Sequence, residues 1–173
     1  SGRPLNWTVP RRTLREFAVN VMRPAGIRLD RMSAADVIAP DSPYWEVRRK
    51  YLDLGINMET LGSLSPEDFS VLFPVIFEEL GYGDAGLAIS LGAAILPMYL
   101  AAKFNNQFLL ERFPHTMIGC WGITEPDHGS DVARGLETTA RREGDSWVLD
   151  GEKKWIGSAA YATHVCVIAK EET

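Results

Sequence analysis

The chain has 173 residues, 46% hydrophobic and 24% charged, with a net charge of −5, the profile of a soluble globular protein large enough to bury a core. The acidic balance leaves no basic excess to neutralise phosphates, which excludes nucleic acid as the main partner. Two widely separated cysteines, Cys120 and Cys166, suit a reducing compartment, and the opening SGRPLNWTVP has no apolar core for a secretory signal.

Up to about residue 113 the pattern is helical. Leu14, Phe17, Ala18, Val21 and Met22 share one face of a first helix, which Pro24 is expected to kink or end. A second helix has Ser42 as N-cap, Pro43 at the first position and Gly55 where a left-handed cap belongs. A third repeats the formula with Ser65, Pro66 and a closing Gly81; its apolar stripe is Phe69, Leu72, Phe73, Ile76, Phe77 and Leu80, with a kink expected at Pro74. The uncharged run from Ala85 to Ala102 is long enough to be weighed as a membrane span. It is rich in Ala and Gly, contains Ser90 and Pro97, and lacks basic anchors, so the reading is a helix buried in a bundle. A short helix, roughly Asn106 to Phe113, completes the set.

The period then changes. MIGCWGIT reads as a buried strand, LETTARREGDSWVLDGEKKWIG carries turn signals at Glu143-Gly144-Asp145 and Asp150-Gly151, and HVCVIAK is a further strand. The expected fold is α+β: a helical bundle over residues 1–115, then the first strands of an antiparallel β domain over 116–173.

Two segments carry chemistry. In CWGITEPDHGSD (Cys120 to Asp131) apolar residues stop at Thr124, whose hydroxyl and N–H can face outward from a strand end. Gly129 and Ser130 can offer turn amides and a hydroxyl to an anion. The plainer alternative is a tight turn in which Asp131 hydrogen-bonds its own backbone. In GEKKWIGS (Gly151 to Ser158), Trp155 beside Gly157 can present an indole to a flat ring; a core tryptophan is the alternative. No Gly-rich phosphate loop of the GxGxxG or Walker kind occurs. His115, Cys120, Asp127, His128, His164 and Cys166 match no zinc spacing, so no metal is expected.

Together the segments resemble the acyl-CoA dehydrogenase and acyl-CoA oxidase family. Its T-E-P-x-x-G-S-D signature stands as Thr124 to Asp131, its G-x-K-x-W-I element as Gly151 to Ile156, and FEELGYGDAGLA (Phe77 to Ala88) is similar to an upstream helical segment of the family. Glutaryl-type dehydrogenases and short-chain plant oxidases look similar around the second element. The resemblance implies a helical N-terminal domain, a middle β domain and a C-terminal helical bundle, the chain stopping before the last. It implies FAD as cofactor and α,β-dehydrogenation of an acyl-CoA thioester. By match, Trp121, Ile123 and Thr124 would contact the flavin ring, and Gly129 and Ser130 would reach toward phosphates or the thioester substrate. Trp155, Ile156, Gly157 and Ser158 would lie on the flavin's other side. The catalytic glutamate is expected in the C-terminal bundle, with no catalytic residue in this chain, and Glu125 is expected to be structural. Electrons would pass to an electron-transfer flavoprotein in a dehydrogenase or to oxygen in an oxidase. The full-length protein would be a homo-oligomer, a dimer or tetramer, in bacterial cytoplasm or an organelle matrix. The rival readings are another flavoprotein of the same fold and a non-catalytic module that binds acyl-CoA or a partner.

Overall fold

The computed structural model describes residues 8–57, 61, 64–112 and 118–172. Phe113, His115 and Met117, which entered the expectations above, lie outside the described residues. The chain divides into two compact units, Ser1–Gly92 and Ala93–Thr173.

The first unit is helical. Helix α1 (Thr8–Phe17) runs into a π-helical segment (Ala18–Met22) and then into α2 (Arg23–Leu29). Leu14, Phe17, Ala18 and Met22 are buried, as the spacing predicted. Pro24 does not end the helical path, which continues to Leu29. The α pitch already stops at Phe17, the Arg23 N–H reaches back to the Ala18 carbonyl, and Pro24 sits in the first turn of α2, where its missing donor costs nothing. After a one-turn α3 (Ala34–Val37) capped by Ser33, α4 (Pro43–Asp53) starts as expected: the Ser42 hydroxyl accepts from the Tyr44 N–H at 3.2 Å. Gly55 follows its end at φ +72°. Its Tyr44, Val47 and Tyr51 form the buried face.

Helix α5 (Pro66–Gly83) is capped by Ser65, which accepts from the Asp68 N–H at 3.0 Å. It runs past Gly81 to Gly83, because the stop comes from Asp84, whose carboxylate accepts the Leu87 N–H of the next helix at 2.8 Å. The expected stripe is also displaced. Ile76 and Leu80 are buried together with the carboxylate residue Glu79, whereas Phe69 and Phe73 are 38% and 39% exposed and stack on each other. A Cβ on Gly83 would fall 2.5 Å from the Ala18 carbonyl oxygen, so this glycine is what lets α5 lie against the π segment.

The uncharged run is two helices, not one: α6 (Ala85–Ala93) and α7 (Leu96–Lys103), with a turn between. Pro97 sits in the first turn of α7, where it cannot continue the preceding ladder. Residues 85–103 meet the length and hydropathy of a membrane span, but only 35% of the best window is buried. Leu87, Ala88, Leu91 and Gly92 face inward, where Phe77 of α5 closes on Gly92, while Ile89 is 67% exposed. The expectation of a helix buried on all sides is therefore corrected to one buried on a single side.

In the second unit, α7 and α8 (Gln107–Arg112) precede β1 (Gly119–Gly122). Then come α9 (Val132–Gly135), β2 (Thr139–Glu143), β3 (Ser146–Asp150), β4 (His164–Val167) and β5 (Lys170–Glu171). The strands are not all antiparallel as expected, and they form two sheets, β1 with β4 and β3-β2-β5. β2 and β3 form an antiparallel hairpin around Gly144 at φ +61°, but β1 pairs with β4 in parallel and β2 pairs with β5 in parallel. A long connection from Ile123 to Thr163 lets β4 return in the direction of β1, which no tight hairpin permits. Cys120 in β1 is fully buried, and burial pushes its thiol pKa up.

Candidate functional site

The end of β1 and the two motif segments meet in the second unit. The ladder between β1 and β4 closes with the Ile168 N–H donating to the Gly122 carbonyl at 3.0 Å. The next two carbonyls are held by a different stretch. Lys153 Nζ donates to the Ile123 carbonyl at 3.1 Å, and the Lys154 N–H donates to the Thr124 carbonyl at 2.8 Å. GEKKW thus lies against the chain just beyond the point where β4 leaves it.

Glu125 turns inward. Its side chain is 1% exposed, and Lys153 Nζ approaches Oε1 at 2.7 Å. Oε2 accepts the Glu137 N–H at 2.6 Å and Oε1 the Thr138 N–H at 2.8 Å. Burial opposes ionisation, but the Lys153 ammonium and the two amides outweigh it and hold the carboxyl far below the ordinary carboxylate range. An ionised carboxylate with both oxygens engaged cannot serve as a base. The structural role expected for Glu125 is what the structure shows.

The rest of the loop is closed by its own backbone and side chains. The Glu125 N–H donates to the His128 carbonyl at 2.9 Å, and the Gly129 N–H donates to Asp131 Oδ1 at 2.9 Å. Of the two readings of this segment, the tight turn describes the Gly129 amide. His128 Nδ1 lies 2.8 Å from Asp131 Oδ2, and Nε2 lies 3.4 Å from Glu137 Oε1. The Asp131 contact, more than its partial burial opposes, raises the His128 pKa above its ordinary 6.5. Gly135 packs flat on the ring, since a Cβ there would sit 2.3 Å from Nδ1.

This pairing sets a pH dependence. A raised folded pKa means a stabilisation present in full below the unfolded imidazole value and lost as pH climbs through the folded one. The melting-temperature difference between wild type and His128→Gln should be largest near about pH 6 and shrink toward about pH 9. A difference independent of pH would refute the role given to Asp131 and Glu137. The matching depression of the Asp131 pKa, due first to His128, acts only in acid, outside that window.

The candidate residues occupy the following places. Trp121 lies in β1, and its indole Nε1 is buried without a hydrogen-bond partner among the described residues. Ile123 and Thr124 are partly buried at the strand end; Gly129 and Ser130 are exposed on the loop. Trp155 is 81% exposed at φ +59°, with Lys154 Nζ 5.1 Å from its ring centre. The core alternative for Trp155 is thereby corrected: the ring is largely open to solvent. Ile156 is half-buried and Gly157 exposed with open space at its Cα. Ser158 stands at φ +67° and accepts from the Tyr161 hydroxyl at 2.9 Å. Two non-glycine residues at positive φ within four positions mark a strained segment, as ligand-binding loops often are. A buried orphan donor, an uncovered indole and a strained turn fit a flat ring with polar edges. No cluster of three metal-ligating side chains exists among the described residues.

Sequence reasoning missed Lys153, Glu137 and Thr138. The signal available was Glu125 in the first motif and the Lys153-Lys154 pair in the second, charges set among turn and apolar residues.

Residues 120–173 match the family model of the acyl-CoA dehydrogenase middle domain. The chain is 31% identical to glutaryl-CoA dehydrogenase of Desulfococcus multivorans, across 69% of this chain and 33% of that protein. It is 30% identical to the mitochondrial short-chain specific acyl-CoA dehydrogenase of Rattus norvegicus, across 94% of this chain and 39% of the relative. The crystal structure of glutaryl-CoA dehydrogenase from Mycobacterium smegmatis superposes with a TM-score of 0.66 at 28% identity, covering 95% of this chain and 43% of that one. The chain therefore spans between a third and two fifths of the length of these two curated relatives.

Proposed function

Since this chain is related to the acyl-CoA dehydrogenases over nearly its whole length, we propose that it forms the flavin-facing part of an FAD-dependent acyl-CoA dehydrogenase. The observation that carries the reading is the junction of the two motif segments: the Lys154 N–H on the Thr124 carbonyl at 2.8 Å brings the strand end and the exposed Trp155 into one place. Trp121, Ile123 and Thr124 would contact the ring from the strand. Trp155, Ile156, Gly157 and Ser158 would hold it from the loop, and Gly129 and Ser130 would face phosphates or the thioester. FAD, when bound, supplies the acceptor for the hydride that leaves the substrate β-carbon.

The residues of this chain bind and orient; none is assigned as the base that removes the α-proton. Glu125 is unavailable, as both its oxygens are occupied. The protein would act as a homo-oligomer in the cytoplasm or an organelle matrix, passing electrons to an electron-transfer flavoprotein. An oxidase is the second reading, favoured by Gly157, where no side chain stands and nothing lies within 4 Å of the Cβ position.

The test is the absorption spectrum of the whole protein that contains these residues, before and after anaerobic addition of an acyl-CoA. A yellow protein that bleaches supports the reading. A colourless protein that takes up no added FAD would overturn it and favour a binding module. Rapid oxygen uptake by the bleached protein would move the oxidase to first place.

A further inference from the structure

A lysine ammonium only 12% exposed beside a carboxylate 1% exposed is a costly arrangement. Such pairs are commonly matched or bettered in stability by apolar side chains of similar volume. What the pair does for its surroundings is therefore the question. β1 loses β4 as a partner after Gly122, yet the two carbonyls beyond it are the ones that precede the signature loop. Lys153 supplies the donor that the ladder lacks, capping the Ile123 carbonyl at 3.1 Å, while its neighbour's N–H takes the Thr124 carbonyl. Its stem lies over Gly122, Cγ being 3.5 Å from where a Cβ would stand. Its other contact, Glu125, is anchored in turn on the Glu137 and Thr138 amides. One side chain thus fixes the strand end, and it lies two residues before Trp155 in the same strained segment.

We propose that Lys153 is a positioning residue, which sets the separation between Ile123-Thr124 and Trp155-Ile156 and so shapes the wall that receives a flavin, without touching the flavin itself. This rests on the flavin reading above. Glu125 is the counter-charge that keeps the ammonium in place, and the carbonyl of Ile123 is the group being aimed.

Two variants separate this role from that of an ordinary ion pair. Lys153→Met leaves Glu125 buried without its cation and is expected to lower the melting temperature of the apoprotein by roughly 10 °C. The double variant Glu125→Gln/Lys153→Met has no stranded charge and should recover part of that loss, since the Gln carbonyl accepts one of the two amides while its NH2 faces the other. Glu125→Gln alone, which keeps Lys153 on Ile123, measures that remaining cost. The double variant has no donor for Ile123, so FAD titrated into the apoprotein should bind about tenfold more weakly, the loss of one charge-assisted hydrogen bond. The visible circular dichroism of the bound flavin should change in both variants that lack Lys153. If the double variant binds FAD as tightly as wild type with the same dichroism, Lys153 is only half of a structural pair and the proposal falls. If wild type itself takes up no FAD, the flavin reading falls first and this one with it.

Discussion

Replacing Gly151 with alanine is expected to destabilise the second unit by about 3 kcal/mol or more, with a fall in melting temperature of roughly 10 °C. Two independent effects act there. The backbone stands at φ +146°, a conformation that side chains other than hydrogen rarely adopt, and a Cβ would fall 2.7 Å from Thr138 Cα and 2.5 Å from its Oγ1. Backbone on one side and strain on the other leave no cheap adjustment. The displacement would reach the site, because the Thr138 amide is one of the two that hold Glu125, and Lys153 lies two residues from the substitution. Gly157→Ala is the control: no positive φ, nothing within 4 Å, and an expected change within about 0.5 kcal/mol. Thermal melts of the three proteins check this; equal losses at both glycines would mean that the close approach to Thr138 is not what requires Gly151.

The first glycine of the G-x-K-x-W-I element is thus explained by packing, a requirement invisible in the string of letters. What was legible in the sequence was local. Ser42 and Ser65 cap their helices because a hydroxyl two or three residues before a free amide needs no distant partner. The buried face of α1 followed from helical spacing alone. The end of α5 was misread because Gly81 is a permissive stop, whereas Asp84 offers a carboxylate to the following helix. Parallel pairing of β1 with β4 depends on where a chain of some forty residues returns, and nothing in either strand encodes that direction. The nine candidate residues were singled out by motif, yet Lys153, which holds the Ile123 carbonyl and Glu125, was not, since these partners lie 30 and 28 residues away.

The same distance problem hid Glu79, where the last large effect is expected. In sequence it is one acid of a Glu-Glu pair at the end of an apolar run; in the structure its side chain is fully buried while Glu78 remains 58% exposed. Arg11 Nε meets Oε1 at 2.6 Å, Arg15 Nε meets Oε2, and the Arg15 guanidinium lies 3.7 Å above the Tyr82 ring. Arg23 closes the group by donating to the Tyr82 carbonyl at 2.6 Å. The carboxylate therefore ties α1 to α5 through two partly exposed guanidiniums. Glu79→Gln keeps the shape but turns an amide donor toward a donor, so a loss of about 2–3 kcal/mol follows, against less than about 0.5 for Glu78→Gln. The pH dependence gives the sharper check. Arg15 first, and Arg11 with it, hold the Glu79 carboxyl below its ordinary range against the opposing effect of burial. A depressed folded pKa means stability present above the unfolded value and lost as pH falls through the folded one. The gap between wild type and Glu79→Gln should accordingly be full at about pH 7 and close as the pH falls below the ordinary carboxylate range, as wild type becomes protonated and its carboxyl no longer offers two acceptors. A gap unchanged in acid would mean that shape at this position, and not charge, joins the two helices.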